Sequence, residues 1–443
     1  MKMLDDRAIA QIQLLQSQAA SLLLYQEVLD SEVGQTFLNL LQLLCDRSDT
    51  RPCAEKDCLR AYGRWFKALA TRKANWQDYL IARILRDDNP FSRQASSAPL
   101  AELSPGLIAA ASHDLQVLQN LYSCTGEQIS QWVQEVADYP TDLPAPSLTS
   151  HPPADSISAK NKNPEIDMQK SEHWADLLEP LAESYRQNGT GLFAEYRALR
   201  WQSGQLTGIP RPDPIQLTGL AGYQWQRDAL IKNTEFLMAG LPALHVLLYG
   251  SRGTGKSSLV KALLNEYGSR GLRLIEVAKS DLKDLPAIVE LLRDVPQKFI
   301  IFVDDLSFEE DDDAFKALKV VLEGSATARP ANVAVYATSN RRHLVREFFD
   351  DRPRPSAEEI NAWDSVQEKL SFSDRFGLTV TFEPANQNTY LGIIRHLASL
   401  EDIVLPPEDL EYRALQWATR HNGRSGRSAR QFIDFLRAEL GSK

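Results

Sequence analysis

A three-layer α/β core on a parallel sheet, with a C-terminal helical lid and an all-α N-terminal domain in front of it, is the fold that the sequence predicts. Three observations carry this. Between residues 209 and 385, short continuous apolar runs alternate with helix-patterned segments. Strands that are apolar throughout and separated by helices belong to parallel sheets covered on both faces. From 386 to 443 only helical periodicity remains, which gives the lid. Residues 1–138 place apolar residues three and four apart, which gives the helical domain.

The N-terminal segments come first. "LLLYQEVL", "TFLNLLQLL" and "YGRWFKALA" carry the helical spacing. Ser104 before Pro105 predicts a capped helix start, and Thr125 with Gln128 predicts a capping box. Trp65, Trp76 and Trp132 are expected in the core of this domain. All four cysteines, Cys45, Cys53, Cys58 and Cys124, lie in the first third with no zinc-like spacing. They read as reduced thiols of a cytoplasmic protein. Early charges at Asp5, Asp6 and Arg7 argue against a signal peptide, and no apolar run is long enough to predict a membrane span. Residues 139–170 are rich in Pro, Ser, Asn and Lys and predict a flexible linker. Residues 171–208, including "LFAEYRALRW", predict a helical connector.

The α/β segment reads in order as strand "ALHVLLY", a glycine loop, helix "KSSLVKALLNEYGS", strand "LRLIEVA", helix "LPAIVELLRDV", strand "KFIIFVDDL", helix "DDAFKALKVVLEG", strand "NVAVYATSN" and strand "LTVTFEP". The loop, "GSRGTGKSS", runs Gly250, Ser251, Arg252, Gly253, Thr254, Gly255, Lys256, Ser257, Ser258. It satisfies G-x-x-x-x-G-K-[ST] between a strand and a helix, the context that a phosphate-binding P-loop requires. Glycines let the backbone approach a crowded anion, and the helix N-terminus adds positive potential. Lys256 supplies a mobile charge for the β- and γ-phosphates, and Ser257 a hydroxyl for Mg²⁺. The acidic end of "FIIFVDD" supplies Asp304 for the metal and Asp305 to polarise the attacking water. The core is therefore read as a P-loop NTPase.

With those motifs in place, roughly residues 209–443 resemble the AAA+ ATPases. They resemble most of all a bacterial family known as domain of unknown function 815. The resemblance rests on "GLAGYQWQRDALIKNTEFLMAG", "LLYGSRGTGKSSLVKALL", "FVDDLSFEE", "ATSNRRHL", "EKLSFSDRFGL" and "GRSGRSARQFIDFL". It implies ATP and Mg²⁺ as ligands, Leu220 and Gly222 at the adenine, and Asn340 as the sensor that orients water. It also implies Arg375 as a finger reaching a neighbouring copy, hence a homo-oligomer, and Arg430 (or Arg427) as the lid sensor. One departure matters: Asp305 stands where most AAA+ proteins have Glu. A carboxylate set back by about an ångström slows catalysis, so the resemblance implies slow turnover, a timer more than a motor.

The net charge is −10 over 443 residues, with 43% hydrophobic and 24% charged content. That is a globular composition, and its acidity argues against non-specific nucleic-acid binding. "DDLSFEEDDD" reads as a solvated helix start or as an acidic docking loop for a basic partner. In the tail "RHNGRSGRSAR", nucleotide sensing is expected ahead of nucleic-acid contact. Three activities compete: ATP hydrolysis coupled to rearrangement of a partner held by the N-terminal domain, an ATP-loaded switch with little hydrolysis, and a small-molecule kinase. The lid, Asn340 and Arg375 disfavour the kinase.

Overall fold

In the computed structural model the chain divides into two compact units, Met1–Glu195 and Tyr196–Lys443. The structure describes residues 4–45, 54–146, 164–307, 313–323, 330–340, 372–421 and 423–441.

The first unit is helical: α1 (Asp6–Ala20), α2 (Glu32–Cys45), α3 (Ala54–Arg72), α4 (Trp76–Ile84), α5 (Pro90–Ser97), α6 (Pro105–Ser123), α7 (Gly126–Ala137), α8 (Pro164–Lys170), α9 (Leu178–Asn188) and α10 (Gly191–Glu195). Side-chain oxygens of Asp5, Asn75, Asn89, Ser104 and Thr125 each accept a backbone N–H of the first turn that follows, satisfying donors that a helix start leaves open. Phe37, Trp65 and Trp76 are fully buried, with Phe37 and Trp76 stacked at 4.1 Å between centroids. Trp132 is buried as well. On α6, the buried carboxylate of Asp114 accepts the backbone N–H groups of Leu23, Leu24 and Tyr25 at 2.7–3.0 Å. It pins the turn between α1 and α2 without needing a counter-ion. Burial pushes the Cys58 thiol up to about 11 and that of Cys124 to about 12, so both are inert packing groups. Cys53 lies outside the described residues.

Two expectations change here. Residues 139–146 are not a free linker. Tyr62 donates to the Pro144 carbonyl and Ser130 to that of Leu143, both at 2.7 Å. Residues 164–170 form α8, where Met168 is buried. The expected helical connector also splits. Trp174, Leu181 and Tyr185 complete the first unit's core, whereas residues 198–208 form a β-hairpin of the second unit.

The second unit holds β1 (Ala198–Gln202), β2 (Gln205–Gly208), β3 (Val246–Gly250), β4 (Leu272–Val277), β5 (Lys298–Val303), β6 (Val333–Ser339) and β7 (Leu378–Phe382). They make one sheet in the order β2-β1-β4-β5-β6-β3-β7. The β1–β2 pair is antiparallel and every other pairing parallel. The hairpin turns through Ser203 and Gly204, both at positive φ (53° and 78°), the two-residue geometry that matches strand twist. β5 and β6 are buried almost end to end, as central parallel strands are. Helices α11 (Gln224–Met238), α12 (Lys256–Tyr267), α13 (Leu285–Leu292) and α14 (Asp313–Glu323) accompany the sheet. The lid follows as α15 (Gln387–Leu400), α16 (Pro407–Arg420) and α17 (Gly426–Gly441). Its own core includes Tyr390, Ile394, Ala414 and Ile433. Among the described residues no helix is long and apolar enough to cross a membrane.

The strand order positions the site. In a parallel sheet all strands end at one edge, where ligands of α/β proteins bind. β3 lies between β6 and β7, and β6 pairs with β5 (Tyr249 opposite Ser339, Val303 opposite Ala337). The glycine loop, Asp304–Asp305 and Asn340 therefore leave the sheet side by side.

Candidate functional site

A cleft of about 1000 Å³ opens at that edge, between the strand ends and the lid. Its floor is the glycine loop, Arg252 to Ser258, and its walls carry Asp304, Asp305, Asn340 and the lid residues Arg427 and Arg430. The backbone explains the glycines. Gly250 has φ 139°, and a Cβ there would sit 2.0 Å from the carbonyl oxygen of Phe382 on β7. Gly253 has φ 75°, and a Cβ would meet Ser425 and Arg427 at 3.1–3.3 Å. Only glycine fits both the conformation and the space. Gly255 caps α12 in the left-handed region, so Lys256 and Ser257 open a twelve-residue helix pointing its N-terminus into the cleft.

The polar groups form one connected chain. Lys256 Nζ donates to the carbonyls of Gly250 and Ser251 at 2.8 Å and approaches Asn340 Oδ1 at 3.5 Å. Asn340 Nδ2 donates to Asp305 Oδ1 at 2.6 Å, and Ser257 Oγ donates to Asp304 Oδ1 at 2.7 Å. Between the two aspartates stands Thr338. Its hydroxyl accepts the Asp305 backbone N–H at 2.9 Å and donates to Asp304. Burial holds the Lys256 ammonium below its ordinary value, while Asp304 and Asp305 pull it back up. A buried cation facing two carboxylates is a group able to receive a polyanion.

Ser257 and Asp304 are hard oxygen donors within one coordination sphere of each other. Mg²⁺ is held by one or two protein oxygens together with substrate phosphates, so these residues fit it. Among the described residues no cluster of three or more His, Cys, Asp or Glu forms an all-protein metal cage.

The lid touches the loop directly: the backbone N–H of Arg427, in the first turn of α17, donates to the Gly253 carbonyl at 3.1 Å. Arg430 also lines the cleft and pairs with Glu401 at 3.6 Å. Both lid arginines thus line the cleft, Arg427 against the glycine loop and Arg430 beside Gly219 and Glu401. At the other end Leu220 lines the cleft with Ile215, Ile393 and Leu397, and the His396 ring meets the Thr218 carbonyl at 2.6 Å. Gly222, expected at the adenine, does not line it. Gly222 sits at φ 75° against Thr389 and Ile393, ahead of α11. Its role there is conformational. Gly250 and Ser251 lie beneath the cleft and contribute the carbonyls under Lys256. Arg375 ends a short turn, Phe372–Arg375, before β7 and is not among the lining groups. Residues 308–312 of the acidic run lie outside the described residues.

Sequence reading missed Thr338 and Glu401, which line the cleft, and His396, which contacts the cleft residue Thr218 without lining it. For Thr338 the signal was present. A strand repeats its facing every second residue, so a hydroxyl two positions before Asn340 faces the same cleft.

A parallel sheet in this order, a glycine loop after β3, an acidic pair after β5, an asparagine after β6 and a three-helix lid beside the loop match the arrangement expected of the AAA+ class of P-loop proteins. The chain belongs to the family described as "Protein of unknown function (DUF815)", which matches residues 194–440. Solved structures with local likeness include a point mutant of Thermotoga maritima RuvB, 17% identical over 52% of this chain and 67% of that one, TM-score 0.37. The Thermotoga maritima RuvB Holliday junction branch migration motor is 15% identical over 50% and 72%, TM-score 0.30. Replication initiator DnaA bound to AMPPCP and single-stranded DNA is 18% identical over 51% and 65%, TM-score 0.34. No curated protein matches.

Proposed function

We propose that this cleft binds ATP with Mg²⁺ and hydrolyses it slowly, to drive or time rearrangement of a partner. The observation that carries the reading is the convergence of Lys256, Ser257, Asp304, Asp305 and Asn340, from two strand ends and one helix start, within a single chain of hydrogen bonds.

In this reading the N–H groups of residues 252–257 and the α12 N-terminus hold the β- and γ-phosphates. The Lys256 ammonium leaves its two loop carbonyls for phosphate oxygens. Ser257 and Asp304 hold the metal, which neutralises phosphate charge when bound. Asp305 and Asn340 orient the attacking water. Leu220, Ile215 and Ile393 offer an apolar face to the base. Arg427 or Arg430 reads the phosphates from the lid. Arg375, which is not among the residues lining the cleft, serves the neighbouring copy as a finger in a homo-oligomer. The helical first unit holds the partner, a protein and not nucleic acid, in the cytoplasm.

A second reading, an ATP-loaded switch with little hydrolysis, draws on Asp305. Its short side chain is already engaged by Asn340 at 2.6 Å. Phosphate release by purified protein, with Lys256→Ala and Asp304→Asn controls, separates the two. Release abolished by both substitutions supports hydrolysis; nucleotide binding without release supports the switch. Release unchanged by either substitution would refute both.

A further inference from the structure

Thr338 has a place in the site that no motif assigns. It stands two residues before Asn340, near the end of β6, and its side chain is buried. A threonine hydroxyl has one proton to give and two lone pairs to accept with. Both functions are used here. The proton goes to Asp304 Oδ1, the oxygen that Ser257 also contacts, and a lone pair takes the Asp305 N–H at 2.9 Å.

The residue so held is strained. Asp305 has φ 54°, a left-handed conformation that costs a non-glycine residue on the order of 1 kcal/mol or more and needs surroundings that enforce it. Two bonds enforce it, Thr338 on its amide and Asn340 on its carboxylate. The left-handed step turns the chain just as it leaves β5, so that Asp304 faces Ser257 while Asp305 faces Asn340. An extended backbone would send two successive side chains to opposite faces of the sheet.

We propose that Thr338 is the positioning residue of this site: it locks Asp305 in the left-handed conformation and ties the metal-side carboxylate to the water-side carboxylate. The shorter aspartate reaches its working position through the backbone kink. This inference rests on the nucleotide reading above and deepens it. Thr338 lines the cleft, but its hydroxyl is committed to the Asp305 amide and the Asp304 carboxylate, so it acts through these two neighbours.

The test uses the full chain and three variants: Thr338→Val, which keeps the shape and loses the hydroxyl; Thr338→Ser, which keeps the hydroxyl; and Lys256→Ala as the binding control. ATP affinity is measured by calorimetry with and without Mg²⁺, phosphate release is followed over a range of ATP concentrations, and thermal midpoints report folding. Thr338→Val is expected to bind metal-free ATP as the parent does. It should lose most of the affinity that Mg²⁺ adds, and kcat should fall by about tenfold to a hundredfold, the scale of an ångström's misplacement. KM for metal-loaded ATP rises in parallel with the lost affinity. Thr338→Ser should restore both. A merely structural role would lower the midpoint and scale all parameters together, with no selective loss of the Mg²⁺ contribution, and would overturn the proposal. So would a Thr338→Val protein equal to the parent in Mg²⁺-dependent affinity. If the parent binds ATP with Mg²⁺ yet releases no phosphate, the hydrolytic reading fails alone, because the affinity comparison still decides Thr338.

Discussion

At the scale of single residues, backbone geometry and burial set what each position tolerates. Gly253 shows this most sharply. Alanine there must adopt a left-handed backbone, costing about 1–2 kcal/mol, and must push against Ser425 and Arg427 of the lid. Gly253→Ala is expected to lower ATP affinity by at least tenfold while shifting the denaturation midpoint of the second unit only modestly, as a titration and a melt on one sample would show. In the first unit the group to watch is Asp87. Burial raises its carboxyl from 3.8 to about 7, countered in part by a hydrogen bond from Asn89. The folded state therefore holds a proton that the unfolded chain gives up. This stabilisation is complete below pH about 4 and is lost as pH rises through about 7. Asp87→Asn should flatten that slope, so that parent and variant differ by roughly 2–4 kcal/mol in pH dependence between pH 4 and 8. Urea denaturation at a series of pH values measures it.

At the scale of elements, what the sequence made legible followed from periodicity and motif. The strands of the α/β segment read directly, because central parallel strands are apolar without interruption: β5 is "KFIIFV" and β6 "VAVYATS". The hairpin β1–β2 did not. "RALRW" carries apolar residues at a spacing that fits one helical turn as well as a strand, and short runs are ambiguous on that account. Ser203-Gly204 was the missed cue, since two successive left-handed residues make a tight hairpin. Gly204→Val tests the assignment. Nothing crowds a Cβ there, so the cost is backbone strain alone, about 1–2 kcal/mol, read as a lower unfolding midpoint with nucleotide affinity unchanged. If residues 198–208 were helical, valine would replace glycine without loss. The site was legible along the chain wherever a motif named it: Lys256, Ser257, Asp304 and Asn340 all meet in one cleft. Thr338, His396 and Glu401 were not, because hydrogen bonds that join elements remote in sequence leave no local pattern.

At the scale of the whole molecule, each unit has its own core, and among the described residues the glycine loop and its cleft belong to the second. Folding of the helical unit and loading of the cleft are then separable. Substitutions at Asp87 should leave ATP affinity alone, and substitutions in the glycine loop should leave the first unit's melting alone. Oligomerisation belongs to this scale too. If Arg375 serves a neighbouring copy, Arg375→Ala lowers phosphate release per subunit by a factor of about a hundred or more without changing ATP affinity, and release by the parent falls on dilution. Unchanged turnover in the variant, or turnover indifferent to concentration, removes the finger. The measurement that bears most directly on the central claim is calorimetric titration of the full chain with ATP in the presence of Mg²⁺, beside Lys256→Ala. Saturable heat at one site per chain, lost in the variant, is the predicted result. An absence of heat and saturation in the parent, or equal binding by the variant, would contradict it.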